Sequence, residues 1–325
     1  MLVYLIRRLG QALIVVAVMA TIVFLSIYAA GNPVDILANP NADQKEMAEV
    51  AARLGLDRPL WEQFGLFVWN ALHGDLGRSF VYNESALKLI AQRMPATLEL
   101  ALVALIFSIL IGIPLGVYAG LRPDSLAGRS IMSGSILGFS LPNFWIGLML
   151  ILLFAVELRW LPSGGRGQTV DVLGVPVSFL TVDGLRHLLL PAFTLALYKA
   201  ALVIRLARAG TREAVMQDYV RFARAKGLSP SRIVLVHILK NILIPIVTVL
   251  GLELGSMIAF AVVTETVFAY PGMGKLLINS IGRLDRPIIV AYLMLVVVLF
   301  VVINFIVDLI YAALDPRVRL SDARS

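Results

Sequence analysis

An all-α polytopic membrane protein with six transmembrane helices is the fold class this sequence predicts, on three observations. Hydrophobic residues make up 59% of the 325 positions and charged residues only 15%, whereas a soluble domain carries about 25% charged residues. The apolar residues come in unbroken blocks instead of at amphipathic spacing, the pattern of membrane spans. Arginine and lysine gather on one set of connections and thin out on the other, the bias that orients helices in a bilayer.

The blocks run over residues 9–30, 97–121, 131–156, 188–204, 242–263 and 288–312. Each is about 17 to 26 residues long, enough to cross a hydrocarbon core of roughly 30 Å at 1.5 Å per residue. The first follows Arg7 and Arg8. Its apolar run exceeds the roughly 7–15 residues of a signal core, and Ile27-Tyr28-Ala29-Ala30 lacks a small-x-small cleavage pattern, so a retained helix is expected. The fourth block is the shortest and holds Pro191 and Lys199.

Direction follows from the charges. Residues 205–241 carry Arg205, Arg208, Arg212, Arg221, Arg224, Lys226, Arg232 and Lys240 against only Glu213 and Asp218. Residues 31–94 hold six basic and eight acidic residues. Both termini and the basic 205–241 loop are therefore expected on the cytoplasmic side, with 31–94 as an extracytoplasmic insert containing a helical stretch at 43–54. The expected organisation is 1–30 (tail and first helix), the insert, a five-helix core over 95–312, and a tail at 313–325. The net charge of +7, so distributed, points to a membrane surface and away from nucleic acid. Without cysteine there is no disulfide or thiolate metal site, and His73, His187 and His237 lie far apart.

The basic loop needs a reason. Val215, Tyr219, Phe222 and Ala223 recur on one helical face, with Arg221, Arg224 and Lys226 on others. Gly227 suits the left-handed position that ends a helix, Ser229 the next N-cap, and Pro230 its first turn. Two short helices meeting at a corner are expected. Two uses are open: docking into a groove on another protein, or lying on anionic lipid.

Inside the blocks, Glu253 sits near the middle of the fifth, where an ionised side chain facing lipid costs at least roughly 2.5–3.5 kcal/mol. It is flanked by Gly251 and Gly255, which permit close helix approach. It is either a carboxylate lining a path or a buried carboxylate satisfied by a neighbouring helix. Glu99, Lys199 and Asp308 lie nearer block ends, where long side chains reach the interface. Pro114, Pro142, Pro191 and Pro245 interrupt blocks and free backbone carbonyls. Residues 265–286 are too polar for either flanking block, and Tyr270-Pro271-Gly272 suggests a re-entrant loop on the outer side. Gly272-Met273-Gly274-Lys275 is no phosphate-binding loop, because Ala269 and Leu276 stand where glycine and Ser/Thr are required. No nucleophile–histidine–acid set is recognisable, so the chain is not expected to be an enzyme.

Asp218-Tyr219-Val220-Arg221-Phe222-Ala223-Arg224-Ala225-Lys226-Gly227-Leu228, followed by His237 and Asn241, resembles the coupling loop of importer-type ABC permeases. More narrowly it resembles the B-type permease of the peptide/nickel importer family. The general pattern is Glu-Ala-Ala, three residues, Gly, nine residues, Ile-x-Leu-Pro. With its glycine on Gly227, Ala223 and Leu239 match. Arg221 and Phe222 replace Glu and the first Ala, His237 replaces Ile and Lys240 replaces Pro. Further similar segments are Tyr4-Leu5-Ile6-Arg7-Arg8-Leu9, Leu54-Gly55-Leu56-Asp57-Arg58-Pro59-Leu60, Gly74-Asp75-Leu76-Gly77-Arg78-Ser79 and Pro95-Ala96-Thr97-Leu98-Glu99-Leu100. Leu141-Pro142-Asn143-Phe144-Trp145-Ile146-Gly147, Glu265-Thr266-Val267-Phe268 through Pro271-Gly272-Met273-Gly274, and Asp315-Pro316-Arg317 complete the series.

The resemblance implies an importer-type permease fold in a bacterial plasma membrane, forming half of a path for peptides. It implies a homologous C-type permease partner, two ABC ATPase subunits and an extracytoplasmic binding protein, with no cofactor in this chain. Asp218, Tyr219, Ala223, Arg224, Ala225, Lys226, Gly227 and Leu228 would couple to the ATPases. Glu253, Glu99, Asn143 and Glu265 are the pathway candidates. Nickel chelates and oligosaccharides are alternative cargoes. A gradient-driven transporter would show inverted repeats with paired broken helices, and none is visible.

Overall fold

The computed structural model describes residues 2–29 and 57–314. Helix α1 spans Leu2–Ala29, α2 Leu60–Leu72, α3 Ala86–Leu121 and α4 Leu126–Ser140. Helix α5, Asn143–Leu150, runs into a π-helical turn over Ile151–Glu157. A two-stranded antiparallel hairpin follows, β1 Val170–Val172 and β2 Val175–Val177, with Val170 opposite Val177. Then come α6, Val182–Met216, and α7, Asp218–Ala225. A short turn at Pro230–Arg232 and a π-helical turn at Ile233–Ile238 lead into α8, Leu239–Val267. Helices α9, Met273–Gly282, and α10, Arg286–Leu314, complete the order.

Five of these stretches, in α1, α3, α6, α8 with its lead-in, and α10, are long and apolar enough to cross a membrane. The third expected block, 131–156, is not one helix. It is α4 and α5, bent by 107°. The cause is Pro142: its ring forces the preceding residue out of the helical region, and Leu141 is extended at φ −83°, ψ 137°. Pro114, Pro191 and Pro245 lie inside continuous helices instead. The shortest expected block, 188–204, belongs to a helix of 35 residues. Thr181 caps its start by accepting from the Gly184 amide at 2.8 Å. The expected stretch 43–54 and the Asp315-Pro316-Arg317 tail fall outside the described residues.

The chain forms two compact units, Met1–Gln92 with Leu276–Val301, and Arg93–Lys275 with Val302–Ser325. In the first, Phe24 of α1 meets Phe64 and Phe67 of α2 at ring-centroid distances of 5.3 and 5.8 Å. Ala20, Val23, Val290 and Met294 form its apolar core. Asp285 accepts from the Ser79 hydroxyl at 2.5 Å and the Phe80 amide at 3.1 Å.

In the second unit α3 lies against α6 along Gly112, Gly116 and Gly120. A Cβ at these positions would come within 2.6–2.7 Å of Val203, Ala207 and Thr211 respectively. Three glycines four residues apart thus let two helix backbones touch, the small-residue packing of membrane helices. Beneath this seam Val203, Ala207, Ala214, Val220, Ala223, Ile233, Ile238 and Ile242 share one apolar core.

Residues 265–286, expected as a re-entrant loop, contain α9 and the turn before it, with Tyr270 and Met273 buried. Glu265 is the buried end of α8, and Asp285 and Arg286 are buried too. Much of the expected 205–241 loop is likewise helix: α6 runs on to Met216.

Candidate functional site

Glu253 and Lys199 come together inside the second unit. The Lys199 ammonium is ion-paired with the Glu253 carboxylate across α6 and α8. Ser256, one turn after Glu253, receives a hydrogen bond from Lys199 at 2.8 Å and donates to the Glu253 carboxylate at 2.7 Å. Lys199 also lies 5.2 Å from the centre of the Tyr198 ring. The pair borders a cavity of about 580 Å³, whose wall includes Phe139, Asn143, Leu195, Tyr198 and Phe260. That volume is in the range of small-molecule sites. The side chain of Glu253 is 29% exposed and that of Lys199 only 7%, so the carboxylate fronts the cavity and the ammonium stands behind it.

The broken span contributes to the same cavity. Phe139, Ser140, Leu141, Pro142 and Asn143 line the cavity from the 107° bend. Phe139 stacks on Tyr198 at 4.6 Å. Asn143 Oδ1 has no hydrogen-bond partner among the described residues. The residue types are apolar and aromatic with few polar groups, as in binding sites for small organic molecules.

The other two expected pathway acids, Glu99 and Glu265, do not line this cavity. Glu99 was expected to reach interface or water; it is buried and saturated. One oxygen accepts from the Ser178 amide, the Ser178 hydroxyl and the Phe179 amide, each at 2.7 Å. The other accepts from Arg166 at 2.7 Å, and Arg166 also donates to the Pro176 carbonyl at 2.6 Å. Glu99 thereby anchors the hairpin. Tyr270 lies in the same cluster, its hydroxyl 3.5 Å from Glu99. Burial, reinforced by the neighbouring carboxylate, pushes its phenol up to about 12.

Glu265 accepts from Thr97 at 2.5 Å and from the Lys275 amide at 2.9 Å. A side chain at Gly272 would overlap its carboxylate. It ties the α8–α9 turn to α3. Lys199 too was expected near water, and it is buried against Glu253. Two partners were missed in the sequence: Arg166, one of two arginines in the 158–181 segment, and Ser256, three residues from Glu253 and so on its helical face.

The corner at 217–230 is the second feature. Gly227 has φ +71°. Its amide bonds to the Arg224 carbonyl at 2.9 Å and the Leu228 amide to the Ala223 carbonyl at 3.2 Å, the paired closure of a Schellman cap. Ser229 and Pro230 open the next turn, with no side-chain bond from Ser229. The expected face is corrected. The chain breaks at Gln217, and Val220 with Ala223 faces the core. Tyr219 is exposed, and Phe222 is 62% exposed. Asp218, Arg221, Arg224, Ala225, Lys226 and Gly227 are exposed as well, and Leu228 packs partly on the core. A helix whose aromatic side chains point outward, held rigid by its own cap, offers a formed surface.

Relatives resolve what such a pair of features belongs to. Residues 1–101 match the N-terminal family of binding-protein-dependent transport system membrane components. The di/tripeptide transport system permease protein DppB of Pseudomonas aeruginosa (strain UCBPP-PA14) is 40% identical over 98% of this chain and 99% of its own length. The dipeptide transport system permease protein DppB of Escherichia coli (strain K12) is 34% identical over 98% and 99%. The fold aligns with an inward-facing methionine ABC transporter, MetNI, at TM-score 0.55 and 19% identity, covering 70% of this chain and 96% of that one. Residues 112–320 match the binding-protein-dependent transport system inner membrane component, and this chain, a multi-pass membrane protein, belongs to that family.

Proposed function

We propose that this chain is a permease subunit of an ATP-driven peptide importer, forming half of the translocation path. The corner at 217–230 carries the reading: it exposes Tyr219 and Phe222 on a rigidly capped helix, in a chain with no phosphate-binding loop of its own. A surface of that kind suits a separate ATPase. The basic residues around it support a cytoplasmic position. Relatives named for dipeptides and di/tripeptides over almost their full length support peptide cargo.

In this reading a homologous permease completes the path, two ATPases dock beneath, and a binding protein delivers peptide from outside. The core formed by Val203, Ala207, Val220, Ala223 and Ile242 couples α7 to α6 and α8. Movement of the corner therefore carries the two helices that hold Lys199 and Glu253, and cavity access changes with the ATPase cycle. The test is reconstitution of the complete complex in liposomes. ATP-dependent dipeptide uptake is expected, and Phe222→Glu should abolish uptake while the purified complex keeps its permease pair. Full uptake in that variant would exclude the corner as the ATPase contact.

A further inference from the structure

Resting on the peptide-permease reading, we infer that Lys199 is a charge compensator that keeps the cavity wall neutral, so that peptides pass whatever charge their side chains bear. Lys199 and Glu253 are the oppositely charged groups on that wall, and the rest of it is apolar, aromatic or uncharged. Glu253 fronts the cavity and Lys199 is ion-paired from behind, with Ser256 bonded to both. Arg205, the other nearby cation, sits 4.8 Å from the Phe139 ring and is exposed, where solvent screens it.

A transport path must bind its cargo well enough to admit it and weakly enough to release it, as in channels. A lone carboxylate among apolar walls would violate the second condition for cationic peptides and the first for anionic ones. Its field is strong there because the surroundings polarise little. An ammonium held behind it cancels that field while leaving a hydrogen-bond acceptor facing the cavity. The two residues lie on different helices, so the neutral state is a property of the assembled α6–α8 pair and not of either segment.

The experiment measures uptake of Ala-Lys, Ala-Ala and Ala-Glu, at sub-saturating concentration, by the complete complex with its binding protein and ATPases in liposomes. Each variant's cationic-to-anionic ratio is normalised to wild type. Lys199→Met should raise that ratio about a hundredfold and Glu253→Gln should lower it about a hundredfold, because one unit charge felt across about 10 Å at an effective dielectric near 20 shifts the cationic and the anionic peptide about tenfold each, in opposite directions. The double variant Lys199→Met/Glu253→Gln should return to the wild-type ratio. Ser140→Asp, which adds a charge to the same wall without touching the pair, should act like Lys199→Met, and it keeps the test open where a single variant fails to assemble. Unchanged ratios in the single variants and in Ser140→Asp overturn the inference, as does loss of assembly in both singles that the double repairs with Ser140→Asp unshifted. A wild-type complex that takes up no dipeptide sinks the peptide reading itself, which is a separate result.

Discussion

Glu99 and Glu253 are both carboxylates within apolar helices of the same compact unit, and they are held in opposite ways. Glu99 has a side chain 5% exposed and donors on both oxygens: two amides, a hydroxyl and Arg166. Glu253 is 29% exposed and has one ammonium and one hydroxyl, with its open side on a cavity. Full satisfaction makes a buried charge a scaffold, because every lone pair is committed and removing one partner strands the others. Incomplete satisfaction beside a cavity leaves capacity for a ligand. Depth in the membrane does not distinguish the two; the remaining hydrogen-bond capacity does.

The sharpest way to break this contrast is to remove the scaffold carboxylate. Glu99→Ala leaves Arg166 buried without its carboxylate and two backbone amides without their acceptor, a loss of about 3–5 kcal/mol. Thermal unfolding of the purified complex should show a larger drop than for Gly116→Val, Glu253→Gln or Ser256→Ala. A drop no larger than that of Glu253→Gln would erase the distinction. A second variant isolates scaffold from charge. Gly116→Val pushes a side chain into the Ile204 carbonyl and Ala207 of α6, where even a Cβ would stand at 2.6 Å. Overpacking of this kind costs about 1–3 kcal/mol. Unfolding temperature should fall, while the cationic-to-anionic uptake ratio of the complexes that do assemble stays at the wild-type value.

Glu253→Gln tests the other side. It keeps the size and one acceptor but leaves the Lys199 ammonium without its counter-charge, so stability should fall by about 1–3 kcal/mol, less than for Glu99→Ala, with dipeptide uptake altered far more than unfolding temperature. Equal uptake at equal stability would make Glu253 a passive packing residue.

The sequence displayed these two carboxylates unequally. Glu253 stood out because a charge in the middle of an apolar block has to be explained, and Gly227 because a glycine before Ser-Pro has a narrow structural meaning; its φ of +71° answers that expectation. The helices themselves were legible from apolar run length, since that is what the bilayer selects. What the sequence hid was pairing at a distance. Glu99 meets Arg166 and Ser178 across 67 and 79 residues, and Glu253 meets Lys199 across 54. Residues so separated have no common period, and a charge near the end of an apolar block reads as reaching for water until its partner is seen. The bend at Leu141-Pro142 was half legible for a related reason: Pro142 marked an interruption, but apolar content continues through it, and its sequence does not distinguish it from Pro114, Pro191 and Pro245, which lie inside continuous helices. The Gly112, Gly116, Gly120 repeat went unread in the sequence, and its spacing alone does not name α6 as the partner.

The mildest substitution separates net charge from geometry. Ser256→Ala removes a hydroxyl that receives from Lys199 at 2.8 Å and donates to the Glu253 carboxylate at 2.7 Å and its backbone carbonyl at 2.8 Å. The ion pair survives, so the wall stays neutral, and the loss should be about 1 kcal/mol, one hydrogen-bonded hydroxyl. Unfolding should shift by a few degrees or less, with the uptake ratio for charged dipeptides unmoved. A ratio that rises toward the Lys199→Met value would mean that the hydroxyl positions the ammonium behind the carboxylate. Compensation would then depend on the aim of Lys199 and not on its mere presence, and Ser256 would join the pair as the residue that sets it.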